Sequence, residues 1–258
     1  MKRQFQILAA TFITVGFISC SKEEIAKQES AITREEITSA INAPRPSPVK
    51  LQGRFEFDGN LKEAANRLPD GVPTTTGAAK YRKDRKGNEQ RALLFDESYG
   101  VNLFNIPQQT NTSLSVWLYV DVVPAVSNMW PLAKVVSGIG PTISYQFMPA
   151  FWLDPPAYFF RGGVTLPNLT SSSDLEKGVW TKGWHHVVVT YDGKTIRLFL
   201  DGNLVDSKSF EGGIRSSRQA YKLGFTTLKD YFWLGAMDDL RFYSGTLSDA
   251  DVQALYNF

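Results

Sequence analysis

Asp192-Gly193 and Asp201-Gly202 cut a run of β-forming residues into pieces of strand length, which leaves that region little choice but a meander of hairpins. The first piece is Trp184-His185-His186-Val187-Val188-Val189-Thr190-Tyr191, the second runs from Ile196 to Leu200, and Leu204 and Val205 begin a third. Asp-Gly accepts the positive φ of a tight hairpin turn, so the spacing predicts at least three antiparallel strands. Leu114-Ser115-Val116-Trp117-Leu118-Tyr119-Val120 has the same β-branched and aromatic texture. From about Leu51 onward, short apolar stretches alternate with turn signals, which predicts an all-β body. Helix is expected at the end of the chain, where Ser248 caps a turn carrying Asp249, Asp251 and Val252 and leading to Leu255 and Tyr256.

The start of the chain is different. Lys2 and Arg3 precede an apolar stretch from about Phe5 to Ile18. That stretch is shorter than the ~20 residues of a membrane-spanning helix and has the layout of a signal peptide. It ends at Phe17-Ile18-Ser19-Cys20, and Cys20 is the single cysteine, so no disulfide can form within the chain. This ending resembles a bacterial lipobox, with Phe17 and Ser19 where that pattern usually has Leu and Gly or Ala. The resemblance implies a signal peptide over residues 1–19 and lipidation of Cys20. The lipid would be the chain's only membrane contact, each buried CH2 adding about 0.8 kcal/mol. Ser21 suits outer-membrane sorting, and Ser21-Lys22-Glu23-Glu24 resembles a surface-export tag. The expected address is the outer membrane, surface-exposed, with a periplasm-facing orientation as the alternative.

Residues 20–50 read as a lipidated polar leader, a short N-terminal helix and a linker. The helix is expected over about Thr33 to Ile41, with Thr33 and Glu36 as a capping pair. Pro44-Arg45-Pro46-Ser47-Pro48 ends it and makes a stiff spacer. The folded domain is expected over residues 51–258. The formal net charge is +2, and without Lys2 and Arg3 acidic and basic side chains balance. Such a body carries no basic footprint for nucleic acid.

Three blocks bear a more specific likeness. The first is Phe57-Asp58-Gly59-Asn60-Leu61, followed by Asp84-Arg85-Lys86-Gly87-Asn88 and Ala92-Leu93-Leu94-Phe95-Asp96. The second is Trp184 to Gly193 with Leu198-Phe199-Leu200-Asp201-Gly202, and the third is Gly235-Ala236-Met237-Asp238-Asp239-Leu240-Arg241-Phe242-Tyr243 with Leu247 to Tyr256. Their order and spacing resemble the laminin G-like family of concanavalin A-like jelly rolls. That resemblance implies an all-β, two-sheet antiparallel jelly-roll sandwich ending in a short helical turn. Trp117 and Trp184 are expected as core aromatics, and the terminal helix is expected to return near the first strand. The fold hosts lectins, glucanases and adhesion modules alike, so it implies function only weakly.

Catalysis on this fold needs paired carboxylates about 5–5.5 Å apart for a retaining mechanism. The sequence holds no Glu-x-Asp-x-x-Glu strand. Glu97, Glu176 and Glu211 each stand alone in turn-like contexts, and adjacent Asp238 and Asp239 would face opposite sides of a strand. No serine elbow, zinc signature or phosphate loop is present. His185 and His186, the only histidines, read as structural members of their strand, and the Lys/Arg-rich run from Tyr81 to Arg91 as a solvated loop.

Many members of the resembled family hold a structural Ca2+ near the first strand and the Asp-Asp strand, and Asp58, Glu63 and Asp238 are the ligands this resemblance implies. After Glu63 the chain has Ala64-Ala65-Asn66-Arg67 where the family often has Ser-Gly-Asn-Gly. Ligand binding is expected in the aromatic segment 127–184. Trp130, Trp152 and Trp180 lie beside Pro- or Gly-rich turns and offer flat faces to sugar rings, while Asn128, Asp154 and Arg161 offer groups for hydroxyls. Phe147, Phe159 and Phe160 are expected in the core. The function expected is therefore non-catalytic glycan binding by a lipid-anchored envelope protein. A protein-adhesion role with an envelope protein partner is the alternative, and a glycoside hydrolase or lyase stands behind both.

Overall fold

The computed structural model describes residues 48–258 apart from 75, 97–98, 108–109, 121–128, 134, 137–143, 146–149, 155–158, 165–172, 180, 210–219 and 225–232. Cys20, the helix expected over 33–41, Asn128, Phe147 and Trp180 lie outside the described residues. The strands begin with β1 (Lys50–Phe55), β2 (Val72–Pro73), β3 (Lys80–Arg82), β4 (Ala92–Asp96), β5 (Val101–Leu103) and β6 (Thr112–Val120). They continue with β7 (Met129–Ala133), β8 (Val135–Val136), β9 (Ser144–Tyr145), β10 (Ala150–Asp154), β11 (Phe159–Val164) and β12 (Ser173–Val179). The last are β13 (Gly183–Tyr191), β14 (Thr195–Leu200), β15 (Asn203–Ser209), β16 (Tyr221–Leu223) and β17 (Leu234–Ser244), followed by helix α1 (Asp249–Tyr256).

Two antiparallel sheets carry the fold. The first runs β15-β14-β13-β6-β17-β4-β3, with β1 also paired to β17; the second runs β12-β11-β10-β7-β16-β5-β2. Strands β8 and β9 form a separate two-stranded ribbon. Alternation puts Leu114, Val116, Leu118 and Val120 of β6 into the core beside Val187, Val189 and Tyr191 of β13. The second sheet answers with Leu132, Leu223, Val101 and Leu103 in the same cluster. The result is the expected all-β sandwich of two antiparallel sheets.

The Asp-Gly turns close the expected hairpins. The carboxylate of Asp192 accepts the backbone N–H groups of Lys194 (2.8 Å) and Thr195 (2.6 Å), and Gly193 has φ 94°. At the next turn Asp201 (φ 49°) and Gly202 (φ 79°) are both left-handed, as a two-residue hairpin loop requires.

Helix α1 forms where expected. Ser248 Oγ accepts from Asp251 N, and the Asp251 carboxylate accepts from Ser248 N. A helix of 8 residues is not stable alone. It is held by Leu247 and Val252, which pack with Val188 and Phe199 on the outer side of the first sheet.

Helix α1 is tied to the β14–β15 turn, where Gln253 Nε2 donates to the Gly202 carbonyl (2.8 Å), and Phe258 beyond it lines a cavity with Glu56 and Asp58, just after β1. The two tryptophans expected in the core stand differently from each other. Trp117 is buried, but beneath the helix, where its ring stacks on Tyr256 at 5.7 Å, and Trp184 is only half-buried, edge-on to Tyr119 at 5.4 Å. Among the described residues, Trp233 is a tryptophan inside the sandwich, fully buried in the main cluster.

Candidate functional site

On the second sheet, pairing register sorts residues between faces. Phe151 of β10 is opposite Leu132 of β7, a core residue, and Leu153 is opposite Met129. Positions 151 and 153 therefore belong to the core-side row, and positions 152 and 154 to the other face. Trp152 is opposite Arg161, Asp154 is opposite Phe159, and Arg161 is opposite Glu176 of β12. Directly opposed residues share a face. Trp152, Asp154 and Arg161, chosen from sequence as ligand-binding residues, thus hold register positions on one face of the sheet. Phe159 is opposite Asp154 and Phe160 is opposite Leu153, and Glu176, read from sequence as turn-like, is a strand position. Trp130 lies within the irregularity between Met129 and Leu132, where alternation assigns it to neither face.

The first sheet carries a second constellation on its outer side. Asp238 pairs with Trp117 across β6, yet Arg241 pairs with Ser115, so β17 carries one extra residue. Asp239 absorbs it with φ 48°, a left-handed conformation that Asp tolerates. This bulge overturns the expectation that the two acids face opposite ways. The Arg85 guanidinium reaches both, bonding Asp238 through one nitrogen and Asp239 at 3.5 Å through the other. Asp239 also takes a two-pronged bond from Arg241, with Nε at 2.8 Å and the terminal nitrogen at 2.6 Å. Burial drives the Asp238 carboxyl up to about 7, opposed by the adjacent Arg85 charge and reinforced by the charges of Asp239 and Asp84.

Arg85 belongs to the run expected to be a solvated loop. Instead the Asp84 carboxylate accepts Lys86 N, Asn88 N and Asn88 Nδ2, each at 2.8 Å, and closes the turn that aims Arg85 inward. Its guanidinium lies 4.9 Å from the centroid of the Trp117 ring. Glu56, Asp58, Lys86, Arg91 and Phe258 complete a cavity of about 220 Å³. The sequence marked Asp84 to Asn88 as part of a resembling block but not the pairing of Arg85, whose partners lie more than 150 residues away.

Of the calcium ligands implied by the resemblance, Asp58 and Asp238 line this cavity and Glu63 does not. Glu63 is buried in its own turn. Its Oε1 accepts Arg54 N (2.6 Å) and Ala65 N (3.1 Å), and its Oε2 accepts Arg67 N (2.6 Å) and Leu68 N (3.3 Å). Burial pushes its pKa up, but these four amides outweigh it and hold the carboxyl below its ordinary value. Asp58 pairs with Arg91 at 3.1 Å. Among the described residues no three His, Cys, Asp or Glu side chains converge as a metal cluster. Ca2+ takes six to eight oxygens; here the oxygens are committed to amides and guanidinium groups, so this donor set does not fit the ion.

The histidines behave as members of a strand. His186 is buried, with Nε2 2.9 Å from Ser115 Oγ and its ring beside both Trp117 and Tyr256. Burial pulls its pKa down to about 4. His185 Nδ1 bonds Asp201 at 2.9 Å, which raises its pKa against the effect of burial.

A family model described as the concanavalin A-like lectin/glucanases superfamily matches residues 96–253, more than half of the chain. Domain 4 of AbnA, a GH43 extracellular arabinanase from Geobacillus stearothermophilus, solved in complex with arabinotriose, is similar with a TM-score of 0.62 at 18% identity, covering 81% of this chain and 100% of that one. The botulinum neurotoxin serotype D binding domain is similar with a TM-score of 0.60 at 14% identity, covering 80% of this chain and 51% of that one. The binding domain of botulinum neurotoxin DC, in complex with SialylT, has a TM-score of 0.58 at 11% identity and covers 80% and 50%. The chain thus spans about half of each toxin chain, and at these identities the likeness shows the fold. No curated protein matches the sequence.

Proposed function

Because the chain belongs to the concanavalin A-like lectin/glucanases superfamily, we propose that it is a non-catalytic glycan-binding protein, held at the outer membrane of a bacterial envelope by a lipid on Cys20. The observation that carries the glycan reading is the row formed by Trp152, Arg161 and Glu176 across β10, β11 and β12, with Asp154 and Phe159 beside it. The register gathers aromatic and charged positions on one face of a sheet, residue types suited to sugar rings and hydroxyls. The solved complexes of similar fold, with arabinotriose and with SialylT, support the same class of ligand. The engagement of Asp238 and Asp239 by arginines supports a non-catalytic role, since both carboxyl groups are tied to partners within the protein.

The test is a glycan-array screen of the full-length protein in detergent, followed by titration of the hit into Trp152→Ala and Arg161→Ala. Saturable binding that falls at least tenfold in both variants supports the reading. Binding that survives both removes the site from this face. A blank array on folded protein refutes the glycan reading in favour of a protein partner. Lipidation is read separately: Cys20→Ser should leave the membrane fraction and lose incorporation of labelled fatty acid.

A further inference from the structure

We propose that His185 is a proton-operated tie: while its ring is protonated it holds the connection that leads from β12 into β13, and with it the β12 side of the candidate glycan face, a regulation that rests on the glycan reading. Both ring nitrogens meet acceptors. Nδ1 lies 2.9 Å from the Asp201 carboxylate, and Nε2 lies 3.0 Å from the Thr181 carbonyl oxygen and 3.2 Å from the Thr181 hydroxyl. A carboxylate and a carbonyl only accept, so a ring that serves both carries a proton on each nitrogen. A neutral ring keeps Nδ1–H on the carboxylate and turns a lone pair toward the carbonyl, which then loses its donor. The Thr181 hydroxyl alone is left to bond the ring.

The two ends of the tie differ. The Asp201 end is anchored: its other oxygen accepts His186 N at 2.8 Å, and Gln253 of α1 donates to the neighbouring Gly202 carbonyl at 2.8 Å. The Thr181 end is exposed, and Gly183, at φ 134°, gives the chain a glycine pivot where it enters β13. Loss of the ring proton therefore frees the exposed end. That end follows β12, which carries Glu176 opposite Arg161. The charged and titratable neighbours are Asp201 in the β14–β15 turn, His186 next along β13 and Lys182 in the connection, while β6 sets Leu118 opposite. Burial lowers the His185 pKa, but the bonds to Asp201 and Thr181 outweigh it and hold it above 6.5, so the tie is closed below that range and opens as pH rises through it.

The experiment is an NMR titration of the full-length protein in detergent from about pH 5 to about pH 9. Ring 15N labelling follows the two histidines, and 13C′-threonine with 15N-lysine labelling leaves one carbonyl–amide signal, because Thr181-Lys182 is the chain's single Thr-Lys pair. The His185 ring should titrate above 6.5, and the Thr181 carbonyl signal should move with the same midpoint. Affinity for the glycan found on the array should fall by about threefold or more across that midpoint. In His185→Gln both the Thr181 signal and the affinity should stay level over the same range. A His185 midpoint below 6.5, or a Thr181 signal that ignores it, overturns the tie. A Thr181 signal that follows His185 while the affinity stays level overturns its control of the glycan face. A blank array sinks the glycan reading instead, and the Thr181 signal still decides the tie. If His185→Gln fails to fold, the wild-type titration decides.

Discussion

Glu63 and Asp238 are both buried acids, and both were expected at one metal, yet they are neutralised in different ways. Glu63 sits in a short turn and is surrounded by four backbone amides from residues 54 to 68. These donors come with the fold of the turn and cannot leave it. Asp238 sits mid-strand and depends on Arg85, a side chain from a loop distant in sequence. The amides hold Glu63 ionised; burial, against a single guanidinium shared with Asp239, leaves Asp238 near 7. Amides fixed in a turn neutralise a buried acid more completely than a borrowed side chain does, and they leave no vacancy for a ligand.

The largest expected effect tests the first half of that contrast. Glu63→Ala strands several buried N–H groups and should cost about 4 kcal/mol in urea unfolding, with Glu63→Gln costing roughly half as much. A loss below about 1 kcal/mol would mean the turn is held by something other than the carboxylate.

His186 tests the layer beneath the cavity. Its folded pKa of about 4 lies below its unfolded value of 6.5, so between these values the unfolded chain takes up a proton that the folded one refuses. Stability from this group is complete above 6.5 and is lost as pH falls toward 4, by about 3 kcal/mol. Unfolding of His186→Gln should show a correspondingly shallower decline over that window. Equal slopes would mean the imidazole finds a hydrogen-bond partner when charged.

Asp238→Asn sharpens the second half. The folded pKa, raised from 3.8 to about 7, makes the folded state hold a proton that the unfolded chain releases, so wild-type stability from this group falls as pH rises between those values. The asparagine lacks that decline. Relative to wild type it should cost about 2 kcal/mol near pH 4 and less as pH approaches 7. A difference that widens with pH would show that Asp238 is ionised throughout. The smallest effect on stability belongs to the second sheet: Trp152→Ala should shift unfolding by about 0.5 kcal/mol or less while weakening glycan binding. A large loss of stability would place position 152 in the core and break the register argument.

Much of the fold is legible in local chemistry. Asp192-Gly193 and Asp201-Gly202 form the hairpin turns because they accept positive φ, and Ser248 with Asp251 caps α1 because two residues suffice for that reciprocal bond. Of the ligand-binding residues chosen from sequence, Trp152, Asp154 and Arg161 share one face because β10 and β11 pair without a break in register. Trp130 is left unassigned, because a strand irregularity interrupts the count.

What only the tertiary structure decided is which side of each sheet is covered and which charges meet across it. Trp117 and Trp233 are equally apolar by composition; pairing and the docking of α1 put the first beneath the helix and the second between the sheets. Asp238 and Asp239 are adjacent in sequence, and one extra residue in β17 decides that they share a partner. Arg85 looks like one more charge in a basic run until the first sheet brings its loop to β17. Turn, cap and alternation depend on φ, ψ and neighbours a few residues away, so the sequence by itself determines them. Burial and ion pairing depend on partners 71 to 153 residues apart, and only the closed sandwich brings those together.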